Sequence, residues 1–287
     1  MPAEARIFVL PEHFSFSMEG GVKTHWYESA SDLARSQIRL QHHTISFLQQ
    51  GTKELVGPQS SVSLQNDHFV LMRAGHCLMT ERISAAQQRY QSQLLFFSNA
   101  MLLDFLGKHQ IQPGSLSSAS PFRVCAYDPY VRHFVDSLRQ LSGMEERWQR
   151  KVMPAKLEEI LLYLLEREGG AFLGGLLHDL APGTRHLVQV VEYNRLHKLS
   201  LQELAFLCHM SLSTFKREFQ KHYQTSPSKW FQAQRLEHAA LRMRTHSLRP
   251  VEVFEDAGYE NLSTFIQAFK KHFGQTPRQF QDEQLSF

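Results

Sequence analysis

Two stretches near the C-terminus repeat one order of apolar and polar positions. In the first, Leu201, Leu204 and Ala205 lead to Met210, and Phe215 and Phe219 follow. In the second, Val253 and Phe254 lead to Tyr259, and Phe265, Phe269 and Phe273 follow. Leu204 aligns with Val253 and Met210 with Tyr259 at an offset of 49, whereas Phe215 and Phe219 align with Phe265 and Phe269 at an offset of 50. The second turn therefore holds one extra residue. Both copies run into a proline, Pro227 and Pro277. Each copy reads as a helix-turn-helix: a short apolar helix, a tight turn, and a longer helix whose phenylalanines, four apart, share one face. Between the copies, 227–244 reads as one helix burying Trp230, Leu236, Ala240 and Met243. Such a helix spans about 27 Å, close to the ~34 Å between successive major grooves on one side of B-DNA. Two recognition helices on a connector of that length predict duplex DNA as the partner.

The N-terminal part has a different texture. Residues 25–80 have strand character, with apolar runs at 44–48 and 69–72 punctuated by Gly51, Gly57-Pro58, Asn66-Asp67 and Gly75. Short strands at this spacing predict a β-barrel or sandwich. From about Ser98, residues 99–109, 129–141 and 154–168 show helical spacing, with Asp128-Pro129 as a cap and first-turn proline. In the last of these, Leu157, Ile160, Leu161, Leu164 and Leu165 form one stripe, ended by Gly169-Gly170. Ala181-Pro182-Gly183 reads as a linker. The expected class is α+β, with a sensor at 1–122, a helical dimerisation segment and linker at 123–183, and an all-helical DNA-binding domain at 184–287.

Charge agrees with this division. From Thr184 onward there are 14 Lys+Arg and 10 Asp+Glu, against 17 and 18 in the first 183 residues. The positive excess lies with the repeats, where a polyanion would bind. Cys77, Cys125 and Cys208 form no spaced pair and read as free thiols of a reducing cytosol. No apolar run approaches the ~18–20 residues of a membrane span, so a cytoplasmic protein is expected.

The segment 184–281 resembles the DNA-binding domain of the AraC/XylS transcription regulators. The resemblance is carried by Leu204-Ala205, Met210-Ser211, Phe215 to Phe219, Ser226-Pro227, Gly258-Tyr259, Ser263, Phe265, Phe269-Lys270-Lys271, Gly274 and Thr276-Pro277. There are departures: Phe254 replaces a usual alanine, Pro250 a branched apolar residue, and His209 a frequent glycine. A wider helix crossing or local repacking is expected in the second unit. The resemblance implies base contacts from Ser213, Lys216 and Arg217 in the first recognition helix, and from Ser263, Thr264 and Gln267 in the second. Lys216 and Arg217 suit guanine N7 and O6, and Gln267 suits adenine N6 and N7; phosphate contact is the equal alternative for the two cations. Phosphate contacts are expected from Ser211, Thr214, Gln220, Lys221, Asn261, Lys270 and Lys271.

Residues 64–76 resemble, less specifically, the strand-turn-strand of the family's cupin-like sensor. The resemblance also implies that the 157–165 stripe pairs with its twin in a homodimer; packing against its own sheet is the alternative. RNA polymerase is a further expected partner. A small-molecule effector or a regulatory protein would act on the sensor, where few polar groups converge in the sequence. Lys53, Arg73, His76 and Arg82 would meet an anionic ligand, although surface charge and strand ends account for them more simply. The competing reading is a cupin-type metal enzyme with an attached DNA reader. Against it, His42-His43 stands without the HxH and following Glu of a cupin metal set, and no catalytic constellation is visible. The expected function is a DNA-binding regulator of transcription, an activator, with no cofactor, metal or catalytic residues.

Overall fold

The computed structural model describes residues 7–14, 16, 18–111, 120–177 and 184–284. It divides into two compact units, Met1–Ala181 and Pro182–Phe287. The linker expected at 181–183 lies outside the described residues.

Among the described residues of the first unit, ten strands form: β1 Ile7–Leu10, β2 Val22–Ser29, β3 Leu33–Leu40, β4 His43–Gln50, β5 Thr52–Val56, β6 Ser61–Gln65, β7 His68–Met72, β8 Gly75–Arg82, β9 Tyr90–Phe97 and β10 Phe122–Ala126. They make two sheets of five, ordered β1-β3-β8-β5-β6 and β10-β7-β4-β9-β2. Helices α1 (Asn99–Lys108), α2 (Pro129–Ser142) and α3 (Glu146–Glu168) cover the second sheet, and a short α4 (Gly170–Gly175) follows. Ile45, Phe47, Phe69, Leu71, Leu95 and Phe97 of this sheet face the helices. Their alternates Leu48, Val70, Met72, Leu94 and Phe96 face Ile38, Leu55 and Met79 of the first sheet. A sheet covered on both faces needs apolar residues at every position, which is why 44–48 and 69–72 are continuous runs. The layers are helices, sheet, sheet. The class is α+β as expected, and of the barrel and sandwich expected for the strands, the two separate sheets make the sandwich.

The cap at Asp128 forms as its sequence implies: its Oδ1 accepts from Val131 N at 2.9 Å, with Pro129 in the first turn. Two features differ from expectation. Helix α3 starts at Glu146, not 154, and carries Pro154 inside it. A proline there removes one helical hydrogen bond, but Met153 and Leu157, buried beside it, hold both halves on the core. Strand β10 follows α1 and pairs with β7, so the segment expected to begin at 123 is continuous with the sheet, and helices and sheets form one unit.

The leucine stripe requires a correction. Leu157, Ile160, Leu161 and Leu164 are at most 2% exposed and pack with the second sheet, α1 and α2, and Leu165 is half-buried on the same cluster. The first four side chains are intramolecular core and have no surface left for a partner chain. The stripe shows that α3 needs an apolar cover, and the outer face of its own sheet supplies it. The opposite face of α3 exposes Trp148, Ala155 and Leu162, seven residues apart.

The second unit contains α5 Thr184–Tyr193, α6 Leu201–Leu207, α7 Leu212–Tyr223, α8 Pro227–His246, α9 Pro250–Val253, α10 Leu262–Phe273 and α11 Pro277–Gln284. Helix α8 serves two cores. Near its start, Trp230 and Phe231 meet Phe219. Further along, Leu236, Ala239, Ala240 and Met243 join Val253, Ala257, Phe265 and Phe269.

Because Leu161 is fully enclosed, Leu161→Asp is expected to destabilise the first unit by more than about 4 kcal/mol. Hydrogen exchange checks this: the amides of β4 and β9 should lose protection in the variant, while those of α7 and α10 keep it.

Candidate nucleic-acid interface

The repeat in the sequence is a repeat in backbone hydrogen bonds. In the first unit's turn, Cys208 N donates to Leu204 O, His209 N to Phe206 O and Met210 N to Ala205 O. In the second, Ala257 N donates to Val253 O, Gly258 N to Glu255 O and Tyr259 N to Phe254 O, each displaced by 49. The left-handed residue of each turn is His209 (φ 59°) and Gly258 (φ 83°). Glycine adopts this conformation freely; His209 does so against its preference, with its ring edge-on to that of His186 at 5.4 Å.

After the turn, equivalence moves to 50. Ser211 and Asn261 are the N-caps. Thr214 N donates to Ser211 Oγ at 3.2 Å, and Thr264 N to Asn261 Oδ1 at 2.9 Å. The residue without a counterpart is Glu260, exposed in the second turn. The departure at Phe254 shows as repacking: α9 is a single turn of four residues, and Phe254 beyond it packs half-buried on the second core. The unit survives because Val253 and Ala257 still close onto Phe265 and Phe269.

Each recognition helix, α7 and α10, is held by a ladder of rings. Phe215 and Phe219 lie 5.7 Å apart, and Phe265 and Phe269 5.6 Å. Phe219 continues to Tyr223 at 4.4 Å and edge-on to Trp230 at 5.7 Å. Phe269 continues to Phe273 at 4.4 Å and edge-on to Phe280 at 5.6 Å. The four phenylalanines are fully buried. With the inner faces fixed, Ser213, Lys216, Arg217, Gln220 and Lys221 of α7 are exposed, as are Ser263, Thr264, Gln267, Lys270 and Lys271 of α10.

These outer residues differ in how free they are. Arg217 Nε donates to Glu218 Oε1 at 3.2 Å. Lys216, Gln267, Lys270 and Lys271 have no side-chain hydrogen bond or ion pair among the described residues. Ser211, Thr214 and Asn261, expected at phosphates, are already engaged in the caps: Ser211 Oγ lies 2.9 Å from Thr214 Oγ1, and Thr264 Oγ1 donates to Asn261 Oδ1 at 2.8 Å. Two cations escaped the sequence reading. Lys229 and Arg278 are exposed in the first turns of α8 and α11, where helix N-termini attract anions. The signal was present, since each follows the proline that starts its helix. The second recognition helix carries no cation before Lys270, so its reading face, unlike that of α7, is uncharged.

The sensor residues separate as well. His43 Nδ1 accepts from Ala74 N at 3.1 Å, so Nε2 holds the proton and faces Asn99 Oδ1 at 2.6 Å. Among the described residues no group of three or more His, Cys, Asp or Glu is placed to hold a metal ion. Arg82 is exposed, His76 half-buried and Arg73 buried, but Lys53 is no surface cation: it is 1% exposed and paired with Glu81.

Residues 204–283 match the family described as a helix-turn-helix domain, and 43–174 match that of the ExsA N-terminal regulatory domain. The chain is 31% identical over 146 residues to the virulence regulon transcriptional activator VirF of Yersinia enterocolitica, covering 50% of this chain and 54% of VirF. It is 29% identical over 134 residues to the transcriptional regulator ExsA of Pseudomonas aeruginosa, covering 45% and 48%. It is 32% identical over 130 residues to the XylDLEGF operon transcriptional activator 2 of Pseudomonas putida, covering 44% of this chain and 78% of that protein. The chain thus spans about half the length of the first two relatives. These relatives are regulators of transcription, not enzymes.

The caps and ladders have separable effects. Asn261→Ala is expected to cost about 1 kcal/mol of stability and Phe269→Ala about 3–5 kcal/mol. Urea unfolding followed by the circular dichroism of the helices checks both. Equal losses would mean that the ladder does not anchor α10.

Proposed function

The chain belongs to the AraC/XylS family of transcription regulators, and from that premise we propose that it is a sequence-specific DNA-binding activator governed through its N-terminal unit. The observation that carries this reading is the pair of ring-anchored recognition helices joined through α8. That helix has 20 residues, a length of about 30 Å, which suits two adjacent major grooves on one side of the duplex. In this reading Ser213, Lys216 and Arg217 meet base edges in one groove, and Ser263, Thr264 and Gln267 in the next. Gln220, Lys221, Lys270 and Lys271 hold phosphates, joined by Lys229 and Arg278.

Pairing of two chains fits the outer face of α3, where Trp148 is 54% and Leu162 40% exposed, and not the buried leucines. RNA polymerase is the partner an activator requires. No described helix is long and apolar enough to cross a membrane.

Binding-site selection with the purified chain tests the reading. Arg217→Ala and Gln267→Ala should each relax preference at one place, about one helical turn apart, at ~1–3 kcal/mol per base pair. Lys271→Ala should weaken all sequences alike and reduce the salt slope by about 1. A chain that selects no sequence at all would refute the proposal; uniform weakening by Arg217→Ala would reassign that residue to phosphate.

A further inference from the structure

Between the two sheets of the first unit lies a cavity of about 60 Å³. Its walls are largely apolar, with Phe14, Met72 and Met79 among them, but Lys53, Glu81 and Tyr27 also line it. Lys53 and Glu81 stand opposite each other in the β5–β8 pairing. Lys53 Nζ lies 3.0 Å from Glu81 Oε1, and their side chains are 1% and 5% exposed. The other hydrogen-bond contact of the ammonium is Met79 Sδ at 3.7 Å, a weak acceptor. An ammonium carries three N–H donors, and among the described residues Glu81 supplies its only oxygen acceptor. A buried ion pair is sustained only when its remaining donors and lone pairs are met. The Tyr27 and Tyr90 phenols neighbour Glu81 and the Tyr90 ring lies 5.7 Å from the ammonium, but the ammonium's remaining N–H donors have no further oxygen there, and both charged side chains line the cavity, where a ligand would meet them. Burial, followed by the neighbouring Glu81 carboxylate, pushes the Tyr27 phenol up to about 12, so it remains a donor at neutral pH.

The charge of the site selects its occupant. Lys53 and Glu81 cancel. Beside Lys53 and Glu81 a carboxylate head would add net negative charge and an ammonium head net positive charge, each costly among apolar walls without a further counter-charge, which His13 in the same lining would supply only as the imidazolium. A neutral head with an acceptor beside a donor satisfies both partners. Its oxygen accepts from Lys53, and its N–H donates to Glu81.

We propose that this cavity binds a small uncharged molecule carrying a carbonyl next to an N–H on a short apolar body, with primary amides as the simplest case. A cavity of this size limits the ligand to the head group and a few carbons while Phe14 keeps its place. The site itself stands on the geometry of the first unit; that its occupancy governs transcription rests on the function proposed above.

The test uses the full chain with 13C-labelled methionine methyl groups, titrated separately with propionamide, propionate and propylammonium. Propionamide should shift the Met72 and Met79 resonances saturably, with a Kd on the order of 10 mM, and the two ions at least about tenfold more weakly. Lys53→Met combined with Glu81→Leu removes both charges together, an exchange that buried pairs often tolerate, and should abolish the shift. Equal response to all three probes, no response to propionamide at about tenfold its expected Kd, or a shift persisting in the double variant would each overturn the proposal. If the double variant does not fold, the three-probe comparison on the parent chain decides alone. A gel shift on selected DNA is run in parallel: loss of DNA binding with an intact amide response would refute the regulator and leave the site, and the reverse would refute the site only.

Discussion

The second unit depends on one contact made twice, the buried phenylalanine pair on each recognition helix. A helix that must offer its outer face to a partner can be held only by its inner face. Phe215 with Phe219, and Phe265 with Phe269, fix that inner face by stacking four residues apart. The ring that completes each ladder, Trp230 or Phe280, comes from the next helix, whose start is set by Pro227 or Pro277. Two successive helices therefore meet at Phe219 and again at Phe269. The caps and turns decide where a recognition helix begins and ends, but the ladder decides which way it faces.

The first unit is organised around a sheet with no solvent face. Helices cover one side and a second sheet covers the other, so its central strands alternate between two apolar environments. Within the second of these environments lies the buried Lys53–Glu81 pair. A charge pair between sheets adds little to stability compared with apolar residues of the same volume. Its presence beside a cavity is more easily understood as recognition than as structure.

How much of this was legible in the sequence follows from how local each signal is. The repeat and the buried stripe of each recognition helix are carried by short local patterns, and the structure places them as those patterns imply; the caps at Ser211 and Asn261, residues expected at phosphates, are seen in the structure. Strand runs 44–48 and 69–72 were legible for the same reason. The leucines of α3 were legible as buried but not as to what buries them, because the covering surface belongs to strands far away in sequence. Strand β10 was hidden because five residues between two helices give too short a period to read. Lys53 was misread because it sits beside Glu54, and two adjacent charges suggest a solvated edge; only the alternation that places Lys53 with Leu55 on the inner face betrays it. The positions expected at DNA came from the resemblance, and the structure adds which of them are exposed and which are engaged in caps.

The unmatched Glu260 makes the two readers interchangeable parts with only one kind of joint. Upstream of it the copies correspond at 49, and downstream at 50. A segment cut at the caps, 211–230 against 261–280, carries a whole recognition helix with its anchor and the proline that follows, and either copy receives the other in register. A cut made before the turn, exchanging blocks of equal length, would displace the helix by one residue. One residue is about 100° around a helix axis. The helix on the mismatched side of the seam would turn its apolar residues out of the core. Recombination between the two halves, whether by design or by descent, is thus confined to seams at Ser211 and Asn261.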